Sequence, residues 1–330
     1  MEKFLKRAAC TFLAFSFALS VSAAAAGEEL VPMGDVVGIS VASRGAVVAG
    51  FEENGNSPAE KAGVEAGDIV VAIGGKEVTS AKEAAKALES MADKSVTVAV
   101  LRNGERKDVT LTAGDGGEGR GLLGVWLRDT LSGIGTVTYY DPESGEYGAL
   151  GHPVSEKDSD GVLPVREGVI LSARVTDSIA GSRGQPGKLN GEIDFLSPIG
   201  AVESNTPVGI YGTAAFDVSK RESVPVAPKS EIETGECCVL SGALGTVEEY
   251  SAEITRIYPE GVREMMIRIT DPRLLDTTGG IVQGMSGSPI IQNGRLIGAV
   301  THVLVSDPAL GYAVSVERML QESGEMMKAA

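Results

Sequence analysis

QGMSGSPIIQNGRLIGAV, residues 283–300, is the stretch on which both the fold and the chemistry turn. Gly284 and Gly287 bracket Ser286, and glycine is the residue that takes up the backbone conformations a tight turn demands. Such a turn exposes a serine hydroxyl. It also lets main-chain N–H groups converge on a developing oxyanion, and here the donors would be those of Gly284 and Ser286. The Asn293-Gly294 pair predicts a two-residue turn that brings a second apolar strand, Leu296 to Val300, back beside Ile290 and Ile291.

A serine hydroxyl is a poor nucleophile at neutral pH and needs a base within hydrogen-bond reach. The chain holds only two histidines, so each is worth weighing. His152, in Ala149-Leu150-Gly151-His152-Pro153, precedes Ser286 in the chain order of a chymotrypsin-like enzyme and is expected to be the base. His302 follows the strand Gly298 to Thr301. Thr301 and His302 are expected to line the substrate cleft, with a polar core position as the plainer role for His302.

Outward from these residues, the chain from Leu122 onward is a succession of short β-like runs broken by glycine. Ile134 to Tyr140, Gly168 to Val175, Ile210 to Phe216, Ala252 to Tyr258 and Glu264 to Ile269 are examples, and regular short strands predict a sandwich or barrel. One helix is expected at the end, over Val316 to about Met327. The 43 glycines agree with a turn-rich, mainly β chain. GMSGSP with its hairpin resembles the nucleophile region of chymotrypsin-type peptidases, with Ser288 where a second glycine is usual. The resemblance implies a double β-barrel over residues 122–330.

Before that half the residues read differently. Ser57-Pro58 starts a helix that Gly63 stops, Ile69 to Ile73 is a continuous apolar strand, and Ser80 caps a helix over Ala81 to Met91. Val96 to Leu101, Asn103-Gly104 and Arg106 to Leu111 form a hairpin. The phrase SPAEKAGVEAGDIVVAIGGKEV, residues 57–78, is similar to the PDZ domains of bacterial proteases, which implies a PDZ-like α+β unit over 30–115. Such a unit adds a peptide C-terminus or extended segment as an extra strand. The groove is expected between Val36, Val37, Gly38 and Ile39 on one side and the Ala81–Met91 helix on the other. The alternatives are a groove filled by the chain itself, or a unit that merely spaces domains. Glycines mixed with charges over 116–121 read as a linker.

The N-terminus has a basic start (Lys3, Lys6, Arg7), an apolar run from Ala8 to Val21, and small residues ending at Ala26. That is the layout of a secretory signal peptide over 1–26. An uncleaved leader would hold the chain on a membrane, outside the cytoplasm in either case. The formal charge is −16, and losing three basic residues and one acidic residue with the leader makes it −18. So acidic a chain argues against nucleic acid as a partner. Cys237 and Cys238 are adjacent, make no disulfide framework and are read as small core residues. Nothing in the sequence calls for a metal or another cofactor.

ALGHPV, residues 149–154, and ITDPRLLDTTGGIVQGMSGSPIIQNGRLIGAVTHVLVSDPALGYAV, residues 269–314, together with the upstream unit, resemble the SpoIVB peptidase family of endospore-forming bacteria. The resemblance implies a secreted signalling serine endopeptidase in the space between forespore and mother cell membranes. It would cleave a regulator of an intramembrane protease and so trigger maturation of a sigma-factor precursor. It also implies Asp271 as the third, acidic member beside His152 and Ser286. Asp271 lies fifteen residues before Ser286, unusually late for an orienting carboxylate. Asp-Pro is a common turn or cap, so Asp177 and Asp194 stay open as alternatives. Two rival functions remain: a silent PDZ scaffold, and an HtrA-like quality-control protease, whose domains run in the opposite order.

Overall fold

The computed structural model describes residues 28–52, 57–89, 95–112, 124–155 and 161–329, so the leader and the 116–121 linker lie outside the described residues. The C-terminal half is a closed barrel of six antiparallel strands. The N-terminal half is built from β1 (Glu29–Pro32), β2 (Val36–Phe51), β3 (Ile69–Ile73), β4 (Lys76–Glu77), β5 (Ser95–Arg102) and β6 (Glu105–Thr112). It continues through β7 (Val125–Tyr140), β8 (Glu146–Ala149), β9 (Val165–Ile179), β10 (Lys188–Val202), β11 (Ser204–Thr206), β12 (Gly209–Thr213) and β13 (Val224–Pro225). Two helices, α1 (Pro58–Lys61) and α2 (Ala81–Glu89), fall among these strands.

The barrel strands are β14 (Gly235–Ser241), β15 (Glu248–Ile257), β16 (Met265–Ile269), β17 (Pro289–Gln292), β18 (Arg295–Val303) and β19 (Leu310–Ser315). They close in the order β14-β15-β16-β19-β18-β17. Helix α3 (Pro272–Thr278) follows β16, and α4 (Val316–Ala329) ends the chain where the sequence placed a helix. Strand β15 shows why this half folds. Tyr250, Ala252 and Ile254 are buried while Glu249, Ser251 and Glu253 between them face water, the period of a one-sided strand. Those apolar residues join Ile267, Ile290, Val300 and Met285 in one core.

A second ring lies before it. Strand β2 pairs on one side with β7 and on the other with β9, and β9 with β10. The ring returns through the Gly200–Ala214 bridge to β12, then β8 and β7. Val37, Ile39, Val41, Val137, Tyr147 and Ile170 fill it.

The PDZ unit grows out of the same two strands. Beyond Ser43, β2 continues into Ala46 to Phe51, where Ala46 and Val47 pair with β3, and Val47 to Phe51 pair with the first residues of β7. With β5, β6, α1 and α2 this part encloses its own core of Ala46, Val48, Val64, Ile73, Val98 and Leu111. The expected local features are present: Ser57 Oγ accepts from the Glu60 N–H at 3.2 Å at the start of α1. Asn103 and Gly104 sit at φ 52° and 82°, the left-handed pair of a two-residue hairpin turn.

Two expectations change. The segment 30–115 is not a unit standing ahead of the peptidase half, because Val36 to Val41 belong to the first ring and the PDZ part is inserted between β2 and β7. Val36, Val37, Gly38 and Ile39 are not the open edge of a peptide groove. Val36 to Ala42 pair with Thr136 to Thr130, and Val37 to Ser43 pair with Ser172 to Val165, so both edges of the strand are used. Gly38 is a contact point inside the ring, since a Cβ there would stand 2.4 Å from the Ile193 side chain.

Candidate active site

A cavity of about 530 Å³ lies between the two barrels. His152, Ser286, Gly284, Thr301 and His302 all line it, so the structure brings together five residues singled out from the sequence. Its remaining side chains include Ile39, Leu131, Ile134, Ile281, Val282 and Val303, and no charged side chain lines it among the described residues.

Ser286 sits in the turn before β17. Gly284 at φ 104° and Gly287 at φ 98° take backbone conformations that side chains resist. Along this turn the N–H of Gln283 donates to Gly187 O, that of Met285 to Val282 O, that of Gly287 to Val300 O and that of Ser288 to Met285 O. The N–H groups of Gly284 and Ser286 make no such bond within the described residues. Those two donors flank a half-buried serine whose hydroxyl donates to Thr301 O at 2.7 Å.

Thr136, a wholly buried residue of β7, holds this turn and the His152 loop together. Its N–H donates to Ser286 O at 3.0 Å, and its Oγ1 donates to Gly284 O at 2.7 Å. Its own carbonyl accepts from the Leu150 N–H at 3.1 Å. Leu150 and Gly151, at φ 72° and 67°, then turn the chain so that His152 enters the cleft. Past His152, the Asn205 side chain clamps the connection between β8 and β9. Its Oδ1 accepts from Val154 N–H at 2.8 Å, and its Nδ2 donates to Val154 O and Leu163 O at 2.7 and 2.9 Å. Thr136 and Asn205 carry no signal in the sequence, for their partners are remote in the chain.

His152 Nδ1 lies 2.8 Å from Pro153 O. A carbonyl only accepts, so Nδ1 carries the proton and Nε2 keeps a free lone pair, the tautomer a general base needs. Burial pushes the His152 pKa below the ordinary histidine value, against a smaller upward effect of that hydrogen bond. The His302 ring stands 4.8 Å from it, centroid to centroid. His302 is exposed to water, not a core residue; the partial desolvation at the cleft, then the charge of the neighbouring His152, then Arg263, lower its pKa as well.

Asp271 is not brought into this cleft. It caps α3, accepting from the Arg273 N–H at 2.9 Å, and pairs through both oxygens with the Arg273 guanidinium at 3.1 and 2.9 Å. It also accepts from the Ser251 N–H at 3.3 Å. The Arg273 guanidinium holds its carboxyl down at about 2. Asp194 shapes the irregular stretch of β10 between Ile193 and Pro198 by accepting from the Leu196 N–H and the Ser197 hydroxyl, and Asp177 is exposed on β9. Neither lines the cleft. Cys237 and Cys238 are free, half-buried thiols, pushed up by burial to about 12 and about 11, and so stay protonated.

The two barrels with a cleft between them, joined to a PDZ unit, have the layout of a serine peptidase. The chain belongs to the SpoIVB peptidase S55 family, which matches residues 119–320. A PDZ domain matches residues 54–102. The probable periplasmic serine endoprotease DegP-like of Halomonas elongata is 30% identical over 135 residues, 39% of this chain and 28% of that protein. This chain therefore spans only about a quarter of the length of that curated relative. Among solved structures, the Rv3671c protease of M. tuberculosis in its active form is 17% identical, with a TM-score of 0.33, over 56% of this chain and 70% of that one. The HtrA-type protease AlgW with a decapeptide is 12% identical, with a TM-score of 0.35, over 61% of this chain and 54% of that one.

Proposed function

We propose that Ser286 is the nucleophile and His152 the general base of an exported endopeptidase that makes limited cuts in one or few protein substrates. The observation that supports this most is the pair of unengaged N–H groups at Gly284 and Ser286, beside a serine hydroxyl in a cleft that His152 also lines. In the reaction the Ser286 hydroxyl turns from Thr301 O towards His152 Nε2 and attacks the substrate carbonyl. His152 takes the proton and later returns it to the leaving amine. The oxyanion forms against the two free N–H groups. Pro153 O, bonded to Nδ1–H, orients the imidazole and bears on the imidazolium, the task a carboxylate performs in a triad. Asp271 acts from outside the cleft, as the cap of α3.

Family membership supports the finer reading: a signalling protease, exported between forespore and mother cell, whose substrate regulates an intramembrane protease that matures a sigma-factor precursor. A peptide end or extended segment docks on the PDZ unit beside Val125 to Leu127 of β7, which bonds β2 on one side and packs against α2 in the same core. The docking helix is already fixed to that strand by the Ala81 N–H, donated to Asp129 Oδ2 at 3.2 Å.

The test is labelling of the folded protein with a fluorophosphonate. The wild type is expected to take up the probe at Ser286, the His152→Ala protein to react about 10⁴-fold or more slowly, and Ser286→Ala not at all. A wild type that stays unlabelled returns the chain to the scaffold reading, and a Ser286→Ala protein that is still labelled moves the nucleophile elsewhere.

A further inference from the structure

We propose that Thr136 is a positioning residue that fixes the oxyanion hole, through the hydrogen bond from its side-chain hydroxyl to Gly284 O. This inference rests on the reading of Ser286 as nucleophile and names the residue that makes its surroundings competent.

The N–H groups offered to an oxyanion belong to two peptide units, Gln283–Gly284 and Met285–Ser286. Each is held through its carbonyl: Gln283 O accepts from the Leu189 N–H at 2.8 Å, and Met285 O from the Ser288 N–H at 2.9 Å. The unit between them, Gly284–Met285, decides how the two donors are aimed relative to each other. Its carbonyl is held by one group, the Thr136 hydroxyl, at 2.7 Å, and its N–H donates to Val282 O at 3.1 Å. Gly284 sits at φ 104°, where the absence of a side chain leaves its backbone torsions soft. Without the Thr136 hydroxyl the Gly284–Met285 unit keeps a single anchor, the Met285 N–H bond to Val282 O, about which the soft glycine lets it tilt, and the Gly284 and Ser286 N–H groups lose their common aim. The following unit, Ser286–Gly287, is held by the Thr136 main chain, whose N–H donates to Ser286 O. One residue thus grips the turn on both sides of the nucleophile.

The hydroxyl has no other hydrogen-bond partner among the described residues. Thr136 is fully buried, and its hydroxyl has a single acceptor. A valine of the same shape fills the site and leaves the two main-chain bonds in place, so Thr136→Val isolates the hydroxyl.

The experiment is the kinetics of inactivation by a fluorophosphonate, resolved into the limiting rate constant and the half-saturating concentration. Removing a direct oxyanion donor costs about 10²–10³ in rate. Loosening the aim of two donors is expected to cost less, about 10- to 100-fold in the limiting rate constant, with the half-saturating concentration unchanged. Thr136→Ser, which keeps the hydroxyl, is expected to react within about threefold of wild type. A folded Thr136→Val protein that reacts as fast as wild type overturns the inference, as does a Thr136→Ser protein as slow as Thr136→Val. Should Thr136→Val not fold, Thr136→Cys, of similar volume but with a weak thiol donor, replaces it against Thr136→Ser, and equal rates overturn the inference. Failure of the underlying reading looks different: the wild type itself is unlabelled, or Ser286→Ala still reacts.

Discussion

Replacing Asp271 with asparagine separates two roles for one carboxylate. If it were the acid of a triad, asparagine would leave the fold intact and lower turnover by about 10⁴, the size of that change in serine proteases generally. The structure points the other way. Asparagine caps a helix about as well as aspartate, so the bond from the Arg273 N–H survives at the start of α3. What is lost is the charge of a carboxylate only 8% exposed, facing an Arg273 side chain that is 53% exposed. With its cation open to water but its carboxylate buried, the pair is worth about 1 kcal/mol, the upper end of the range for exposed ion pairs. Asp271→Asn is therefore expected to lower Tm by no more than about 2–4 °C, the shift about 1 kcal/mol produces in a domain of this size. Asp271→Ala also removes the cap, worth about 1 kcal/mol, and should lower Tm about twice as far. The assay pairs thermal unfolding with fluorophosphonate inactivation of the same preparations, where both variants should react within about threefold of wild type. A folded Asp271→Asn protein that has lost several orders of magnitude in reactivity, with Tm unchanged, refutes the reasoning and restores the acid to the mechanism.

Burial lowers the His152 pKa, so the base stays neutral further into acid than a free histidine, and the acidic limb of the inactivation rate is expected below pH 6.5; a limb at or above that value contradicts the buried geometry. Both histidines have lowered folded values, so below about pH 6.5 the unfolded chain binds protons that the folded one refuses, and stability falls as pH decreases. His302→Gln should flatten that slope between pH 6.5 and 5 in urea midpoints, and an unchanged slope argues against it. A Cβ at Gly287 would stand 2.0 Å from Thr136 O and 2.6 Å from the Leu150 N atom. Gly287→Ala should therefore cost several kcal/mol, roughly 2–6 by the usual scale of backbone strain and overpacking, with labelling lost; a wild-type Tm and rate would show that the two loops are not tied there. In the PDZ unit, Asp68 is 1% exposed and accepts from Arg102 twice and from the Glu65 N–H. Asp68→Ala is expected to destabilise by about 3 kcal/mol in one transition with the barrels, and a separate early transition with labelling intact would refute that coupling.

Features set by near neighbours in the chain are legible in the sequence alone. The Asn103-Gly104 and Asn293-Gly294 turns, the Ser57 cap, the closing helix and the glycine turn around Ser286 each depend on residues a few positions apart, where residue type dictates backbone shape. The PDZ insertion was not legible, because β2 is one apolar run that serves two cores. Nothing local tells Val37, facing the first ring, from Val48, facing the PDZ interior. The groove was misplaced for the same reason: the strand that closes the far edge of Val37 to Ser43 is β9, well over a hundred residues later. Asp271 shows the limit of motif transfer. Its Asp-Pro pair reads equally as a helix start, and only the ion pair with Arg273 and its absence from the cleft lining favour that reading. Thr136 and Asn205 are ordinary polar residues in sequence and acquire their tasks from partners distant in the chain.

Strands β2 and β7 pass from the PDZ unit into the first ring without interruption, and that continuity has a mechanical consequence. A module hung on a slack tether can be exchanged between proteins, clipped off, or left to tumble independently. This one cannot be excised without severing two staves of the neighbouring barrel, so chimeras that swap it must preserve the register of both. From Arg128 to Thr136 is a span of roughly 26 Å along an extended strand. A load borne on the PDZ side is thus delivered along a taut backbone to Thr136, which is bonded to the turn around Ser286.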